Sequence, residues 1–237
     1  MALPVVNSSR YSTILPSTGD DIEYRPYLVK EEKIMMVALE TKDNKAIVGA
    51  MKDVAKACIL TENIDVENLT TFDLEWLFLR LRAKSVGEVA KVQLKCDDEQ
   101  CASMTEVNVQ LDDVDLSHIS ETRVVDLTGE VGVVMKYPTI SMMEGYDTEK
   151  LKSTKGAFDM IADCIESIYD ADNVYHTKDE ERKSVMDFLD TLTSTQFSNL
   201  VDWMSNTPTL KKDVEWTCAG CNEERKLELR GLQSFFT

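Results

Sequence analysis

The sequence predicts an α+β fold in which two β-hairpins, each carrying a cysteine pair, are separated by a helical segment. Alternating apolar residues flank Cys96–Cys101 and Cys218–Cys221, and helical apolar spacing dominates the stretch between them. A further hairpin and several helices precede the first cysteine pair. The predicted division is an N-terminal part at 1–88, a β portion formed by 89–140 with 209–237, and a helical insertion at 141–208.

The N-terminal part begins with a hairpin and continues into helices. Tyr11–Leu15 and Ile22–Tyr24 alternate around a turn that contains Gly19, which is typical of two short antiparallel strands. Apolar residues at helical spacing then predict helices over 29–41 and 46–60.

A third helix allows two interpretations. Thr70 and Asp73 form a capping box at its start, and Gly87 ends it. The helix is apolar almost all round, which is typical of a helix buried in a core. Alternatively, this helix or its basic end docks a partner, and the candidate residues are Trp76, Arg80, Arg82 and Lys84.

The middle of the chain adds one hairpin and two capped helices. Strand-like residues on both sides of Gly129 predict a tight turn. Farther on, Thr177 followed by Glu180 and Thr193 followed by Gln196 have the spacing of capping boxes, so each pair predicts a helix start.

The cysteine spacing is the feature that indicates chemistry. Cys96-x4-Cys101 and Cys218-x2-Cys221 both fall at turns between strand-like segments. A tight turn can direct two sulfurs at one point, and four thiolates complete a tetrahedral zinc site with no open position. We expect Gly220 to permit close backbone approach and a positive φ. The sequence therefore predicts one structural zinc ion in a split zinc-ribbon-like arrangement.

Two alternatives to zinc stay open from the sequence. In the first alternative, the pairs are ordinary hairpin cysteines without a metal. In the second, they bind an iron–sulfur cluster. A shared metal would close a long loop, since 116 residues separate Cys101 from Cys218. The other two cysteines, Cys58 and Cys164, lie in apolar helical spacing and are predicted core residues.

The charge of the chain restricts its partners. Its 26 basic and 43 acidic residues give a net charge of −17. Such a chain repels phosphate backbones and anionic membrane surfaces, so we expect protein partners and neither nucleic acid nor membrane. No small-molecule substrate is expected either. The N-terminus lacks the basic and apolar regions of a signal peptide, so the chain is expected in the cytoplasm, where thiols stay reduced.

Nothing in the sequence indicates catalysis. His118 and His176 are the two histidines, and no nucleophile signature lies near either of them. Phosphate-binding loops, dinucleotide-binding turns and zinc-protease helices are also missing from the sequence. The sequence therefore predicts a protein that is not an enzyme.

Three stretches together resemble the T-even-type phage baseplate protein family, which is associated with the hub of contractile tails. They are Leu15–Gly19 with Arg25–Lys33, then Phe72–Glu88, and then the Cys96–Cys101 segment. The resemblance implies a structural or assembly component of the baseplate hub that contacts other baseplate proteins and has no catalytic residues. It further implies a place in the host cytoplasm during assembly and then in the virion tail. The alternative is a zinc-ribbon nucleic-acid-binding or transcription-associated factor.

Overall fold

The computed structural model describes residues 8–41, 43–117, 119–120, 122–146 and 148–235, without the side chains of Asn44, Thr148 and Glu149. The chain packs as two units. The first comprises Met1–Ser117 with Thr209–Thr237, and the second comprises His118–Pro208. The predicted mixed α+β class is confirmed, since the described residues form eight α-helices and several small antiparallel sheets.

The first unit begins as predicted, with a hairpin and a pair of helices. Strands β1 (Tyr11–Ile14) and β2 (Asp21–Tyr24) pair in antiparallel register, and Gly19 in their turn has a φ of 79°. Helices α1 (Val29–Thr41) and α2 (Asn44–Cys58) follow.

Helix α3 (Thr71–Ser85) forms the centre of the first unit. The predicted capping box is present, because Thr70 and Asp73 each bond the other's backbone N–H. The Asp73 carboxylate is fully buried and also accepts the Ser17 N–H at 3.0 Å. It therefore fixes the β1–β2 turn to the start of α3. Farther along the helix, Leu77, Leu79 and Leu81 are buried.

Two small sheets complete the first unit. Strands β3 (Val89–Lys95) and β4 (Met104–Gln110) form one, and β5 (Asp115–Leu116), β10 (Leu210–Thr217) and β11 (Glu224–Arg230) form the other in the order β11-β10-β5. Leu210 of β10 pairs with Leu116 of β5. The chain therefore leaves and re-enters this unit on paired strands, and the intervening residues are an insertion.

The second unit is a four-stranded antiparallel sheet with helices. Its strands, in spatial order, are β6 (Val124–Asp126), β7 (Gly132–Met135), β8 (Ile165–Tyr169) and β9 (Val174–His176). Its helices are α4 (Ile140–Glu144), α5 (Thr148–Lys152), α6 (Thr154–Asp163), α7 (Arg182–Asp190) and α8 (Ser194–Ser205). The core between sheet and helices includes Val133, Met135, Ile161, Ile165, Leu189 and Leu200.

The segment at 141–208 is not helical throughout, because it contains β8 and β9. Ile161, Ile165 and Ile168 have helical spacing in the sequence, but the helix ends at Asp163 and the last two isoleucines belong to β8. Since β6 pairs with β7 and β7 pairs with β8, both β6 and β7 belong to the second unit. The three-part division of the chain stays a prediction beside this two-unit packing.

One of the two capping boxes predicted in this segment is confirmed and the other is wrong. Thr193 and Gln196 cap α8 as expected. Helix α7 instead begins at Arg182, after an N-cap residue that makes no side-chain bond. The Thr177 hydroxyl donates to the carbonyl of Ile165 in β8 at 2.8 Å, so this side chain bonds to a strand and does not cap a helix.

Candidate metal centre

Each cysteine pair lies in the turn of an antiparallel hairpin. Cys96 directly follows β3, and Cys218 directly follows β10. The second cysteine of each pair is separated from the next strand by two residues. We call residues 96–103 the first knuckle and residues 218–223 the second knuckle.

The same backbone hydrogen bond closes both knuckles. The Cys96 N–H donates to the Ser103 carbonyl at 2.8 Å, and the Cys218 N–H donates to the Glu223 carbonyl at 2.9 Å. Each bond joins the first cysteine to the residue just before the returning strand. The two cysteine turns are therefore closed by the same backbone contact at their strand ends.

A left-handed residue follows the second cysteine of each knuckle. Ala102 has a φ of 44° and Asn222 a φ of 59°. The N–H of each donates to the carbonyl four residues earlier, Asp98 or Cys218, at 2.9 Å. Asp98 therefore occupies the position in its turn that Cys218 occupies in the other, and the two additional residues of the first knuckle precede this shared turn.

The four sulfurs lie together at distances that suit a tetrahedral thiolate site. All lie within 4.8 Å of one another, with 3.9 Å between Cys96 and Cys221 and 3.7 Å between Cys101 and Cys218. Zinc–sulfur bonds of 2.3 Å in a tetrahedron require sulfur–sulfur separations of about 3.8 Å. Disulfide sulfurs would be about 2.05 Å apart. The four cysteines could therefore bind one metal ion.

The pKa values of one thiol in each knuckle, Cys218 and Cys101, shift in opposite directions. The backbone N–H groups of Cys221 and Gly220 lower the pKa of the Cys218 thiol to about 6. The Ser103 N–H also lowers the pKa of Cys101, but burial and the neighbouring thiols outweigh this bond and raise it to about 11. A cation is what allows four thiolates to share so small a volume.

Arg225 on β11 connects the two knuckles beside the sulfurs. Its Nη2 donates to Cys221 Sγ at 3.6 Å, and its Nη1 lies 3.1 Å from an Asp97 carboxylate oxygen. Four thiolates around a divalent ion carry two net negative charges, and a hydrogen-bonded guanidinium offsets part of that charge. Arg225 is therefore an outer partner of the candidate metal centre.

Backbone packing also joins the knuckles. The Ala219 N–H donates to the Thr105 hydroxyl of β4 at 3.0 Å. A Cβ on Gly220 would lie 2.7 Å from Ser103 Cβ and 2.8 Å from Cys101 Sγ. The expected close approach at Gly220 is therefore present, but the expected positive φ is wrong, because Asn222 takes the left-handed conformation instead.

The four predicted docking residues all have contacts within the first unit. Trp76 Nε1 donates to the Thr13 hydroxyl at 3.1 Å, and the Arg80 guanidinium lies 4.1 Å from the Trp76 ring centre. Arg82 donates to the Gly87 carbonyl at 2.9 Å, and Lys84 pairs with Glu88. The apolar side chains of α3 are buried as the core interpretation expects, and the docking role of these four residues stays a prediction.

The other two cysteines and the two histidines are not part of either knuckle. Cys58 and Cys164 are fully buried, and burial raises the pKa of these thiols to about 11 and about 12. His176 lies exposed on β9, whereas His118 is outside the described residues. Within the described part of the chain, the four knuckle cysteines form the one group of cysteine, histidine and carboxylate ligands with metal-site geometry.

Sequence reasoning missed Arg225, Ala102 and Asn222. A cation four residues after Cys221 was a visible signal for the first, but it could not be distinguished from the other charges of β11. Asn222 directly after a cysteine turn was a signal for a left-handed residue. Ala102 gave no signal, because alanine disfavours that conformation.

Comparison with known proteins identifies the family of the chain. No curated protein and no solved structure matches it. Among the described residues, no helix combines the length and the apolar character needed to cross a bilayer. The family model described as T4 bacteriophage base plate protein matches residues 8–237. The chain therefore belongs to the T4-type phage baseplate protein family.

Proposed function

We propose that the chain is a component of the baseplate hub region, or a factor that builds the hub, and that it acts by protein–protein contact without catalysis. Family membership over residues 8–237 supports a structural role in the virion tail together with other phage structural proteins. The narrower hub assignment rests on the resemblance of Leu15–Gly19 with Arg25–Lys33, of Phe72–Glu88 and of the Cys96–Cys101 segment. The chain would act in the host cytoplasm during assembly and then in the baseplate.

The proposal includes one structural zinc ion on Cys96, Cys101, Cys218 and Cys221. The observation that carries it is the convergence of four sulfurs to within 4.8 Å from positions up to 125 residues apart. Four thiolates leave no open coordination position for a reaction. The ion would complete a split zinc-ribbon-like arrangement of the two knuckles and close the loop that contains the second unit.

Elemental analysis of the purified protein tests the metal. We expect one zinc per chain, lost together with the stability of the first unit when a strong chelator is added. A Cys58→Ala variant is the matched control, because it removes a buried thiol outside the knuckles and should keep its zinc. Stoichiometric iron with visible charge-transfer absorbance, or a metal-free protein of unchanged stability, would contradict the zinc assignment.

A nonsense mutation in the gene tests the baseplate role. We expect infected cells to lack complete baseplates and to accumulate hub intermediates, and complementation by the intact chain should restore tails. Mass spectrometry of purified virions then separates the two forms of the proposal, because a hub component is present in particles and an assembly factor is not. Normal tail assembly without this chain would refute both forms.

A further inference from the structure

Helix α1 is apolar and yet largely exposed. Val29 is 65% exposed, Met36 57% and Val37 64%, whereas in this helix only Glu31, Met35 and Ala38 are buried. A helix with apolar residues on several sides is ordinarily covered by other structure. Helix α3 has the same apolar character and is covered, so composition alone does not explain the exposure of α1.

The exposure is concentrated rather than scattered. Eighteen large apolar side chains are exposed in the described part of the chain, and seven of them lie between residues 28 and 48: Leu28, Val29, Ile34, Met36, Val37, Leu39 and Val48. Single exposed apolar residues are ordinary on protein surfaces, but a concentrated group marks an interaction site. Among the described residues, the helical hairpin of α1 and α2 is therefore the strongest candidate for a surface that binds a partner.

Three of the five exposed large apolar residues of α1 share one side of the helix, whereas Ile34 and Leu39 flank its buried side. Val29, Met36 and Val37 are spaced seven and eight residues apart, and Lys33 and Glu40 lie between and beside them. This side is opposite to the buried Met35 and Ala38. We call Val29, Lys33, Met36, Val37 and Glu40 the α1 outer face.

The charge of this region restricts what can cover it. Residues 28–45 contain four lysines and four carboxylates, so the net charge of −17 lies entirely in the rest of the chain. A neutral apolar face fits a neutral apolar surface better than a strongly basic one. A second copy is disfavoured, because association would bring together two bodies of charge −17.

We propose that the α1 outer face docks into an apolar, weakly charged groove on another phage structural protein, as an amphipathic helix docks into a groove. The role presupposes that the chain works by protein contact, as proposed above. Met36 and Val37 would contact the apolar walls of the groove, and Lys33 and Glu40, which lie on the same side of the helix, would reach polar groups of the partner. The proposal names a surface distinct from the α3 residues predicted from the sequence.

Site-specific photo-cross-linking tests the occupant. A benzophenone side chain is placed at residue 37 of the full-length chain in cells that produce the phage, and at residue 174 as the control, since Val174 is similarly exposed at 59%. We expect the probe at 37, but not at 174, to cross-link to one other phage structural protein. A cross-link to a second copy, to the same chain or to a host protein, or no cross-link at 37, would overturn the proposal.

A charge substitution tests whether docking matters for assembly. Val37→Glu should leave the melting temperature unchanged, since exposed substitutions rarely alter stability, but should reduce complete baseplates on the order of tenfold or more because a carboxylate is buried at the interface. Val174→Glu is the control and should assemble normally. If the nonsense mutant lacks baseplates while Val37→Glu assembles normally, the α1 proposal fails and the baseplate role stands.

Discussion

The two knuckles have one hydrogen-bonded frame but different side chains, and the difference shows how each contributes. The second knuckle is short, and Gly220, which has no side chain, packs against the first knuckle. The first knuckle is longer by two residues and acidic, and its Asp97 reaches Arg225 on the strand after the second knuckle. The unequal spacing therefore has a structural consequence in each knuckle. It gives the second knuckle close approach and the first knuckle an ionic contact outside the sulfurs.

The largest expected effect follows from removing one sulfur from either knuckle. Structural zinc binding is worth about 10–16 kcal/mol in small sites, and most domains are stable by only about 5–15 kcal/mol. Cys101→Ser and Cys218→Ser should therefore both lose zinc and unfold the first unit. Hydrogen exchange with elemental analysis measures this, with amides of β3 and β10 losing protection while those of β7 keep it.

Equal losses would show that the knuckles share the ion, and Cys164→Ala provides a control in the other unit that should keep its zinc. Retention of one zinc per chain by either serine variant would contradict a four-cysteine site.

The next effect concerns the close approach of the second knuckle. Gly220→Ala places a methyl group against Ser103 and Cys101, and overpacking of this kind costs about 1–3 kcal/mol. We expect weaker zinc retention in chelator competition and a lower melting temperature. Gln100→Ala is the control, because Gln100 also directly precedes the second cysteine of its knuckle but is exposed.

The double variant Gly220→Ala with Ser103→Gly identifies the cause. Removing the Ser103 side chain should restore part of the lost zinc affinity, since the nearest contact disappears. Unchanged zinc affinity in Gly220→Ala itself would show that the knuckles can separate without cost.

An effect of similar size is expected at the ionic contact. Loss of an outer partner of a metal ligand typically reduces metal affinity 10–100-fold, so Arg225→Gln should reduce zinc affinity by about that factor. Arg225→Lys should retain part of the affinity because the charge remains. Competition with a chromophoric chelator measures all three proteins.

Lys226→Gln is the matched control, because Lys226 is the next residue of β11 and pairs with the exposed Glu215 rather than with the knuckles. Equal losses of zinc affinity in Arg225→Gln and Lys226→Gln would mean that positive charge on β11 acts at long range. The hydrogen bond from Arg225 to the Cys221 sulfur would then have no separate role.

The cysteine cluster was predictable from sequence, whereas the way its halves meet was not. Two cysteine pairs at strand-flanked turns indicate a shared ion by residue type and spacing alone. The contact of Arg225 with Asp97 depends on how two hairpins face each other, which no local pattern encodes. In the same way, the helical segment predicted at 141–208 did not reveal β8, because that strand depends on its pairing with β7 and not on a local pattern.

The smallest expected effect concerns the left-handed residue of each knuckle. Ala102 and Asn222 have the same left-handed role, but this conformation costs alanine roughly 1–2 kcal/mol, whereas asparagine adopts it more readily. Ala102→Gly should therefore stabilise the first unit by about 0.5–1 kcal/mol, the conformational cost being partly offset by the greater freedom of glycine in the unfolded chain. Asn222→Ala should destabilise it by a similar amount, and zinc content should stay constant in both variants. Thermal unfolding of the zinc-loaded proteins measures the two shifts, which have opposite signs if both knuckles share one frame. Shifts of the same sign would show that the common frame does not determine their stability.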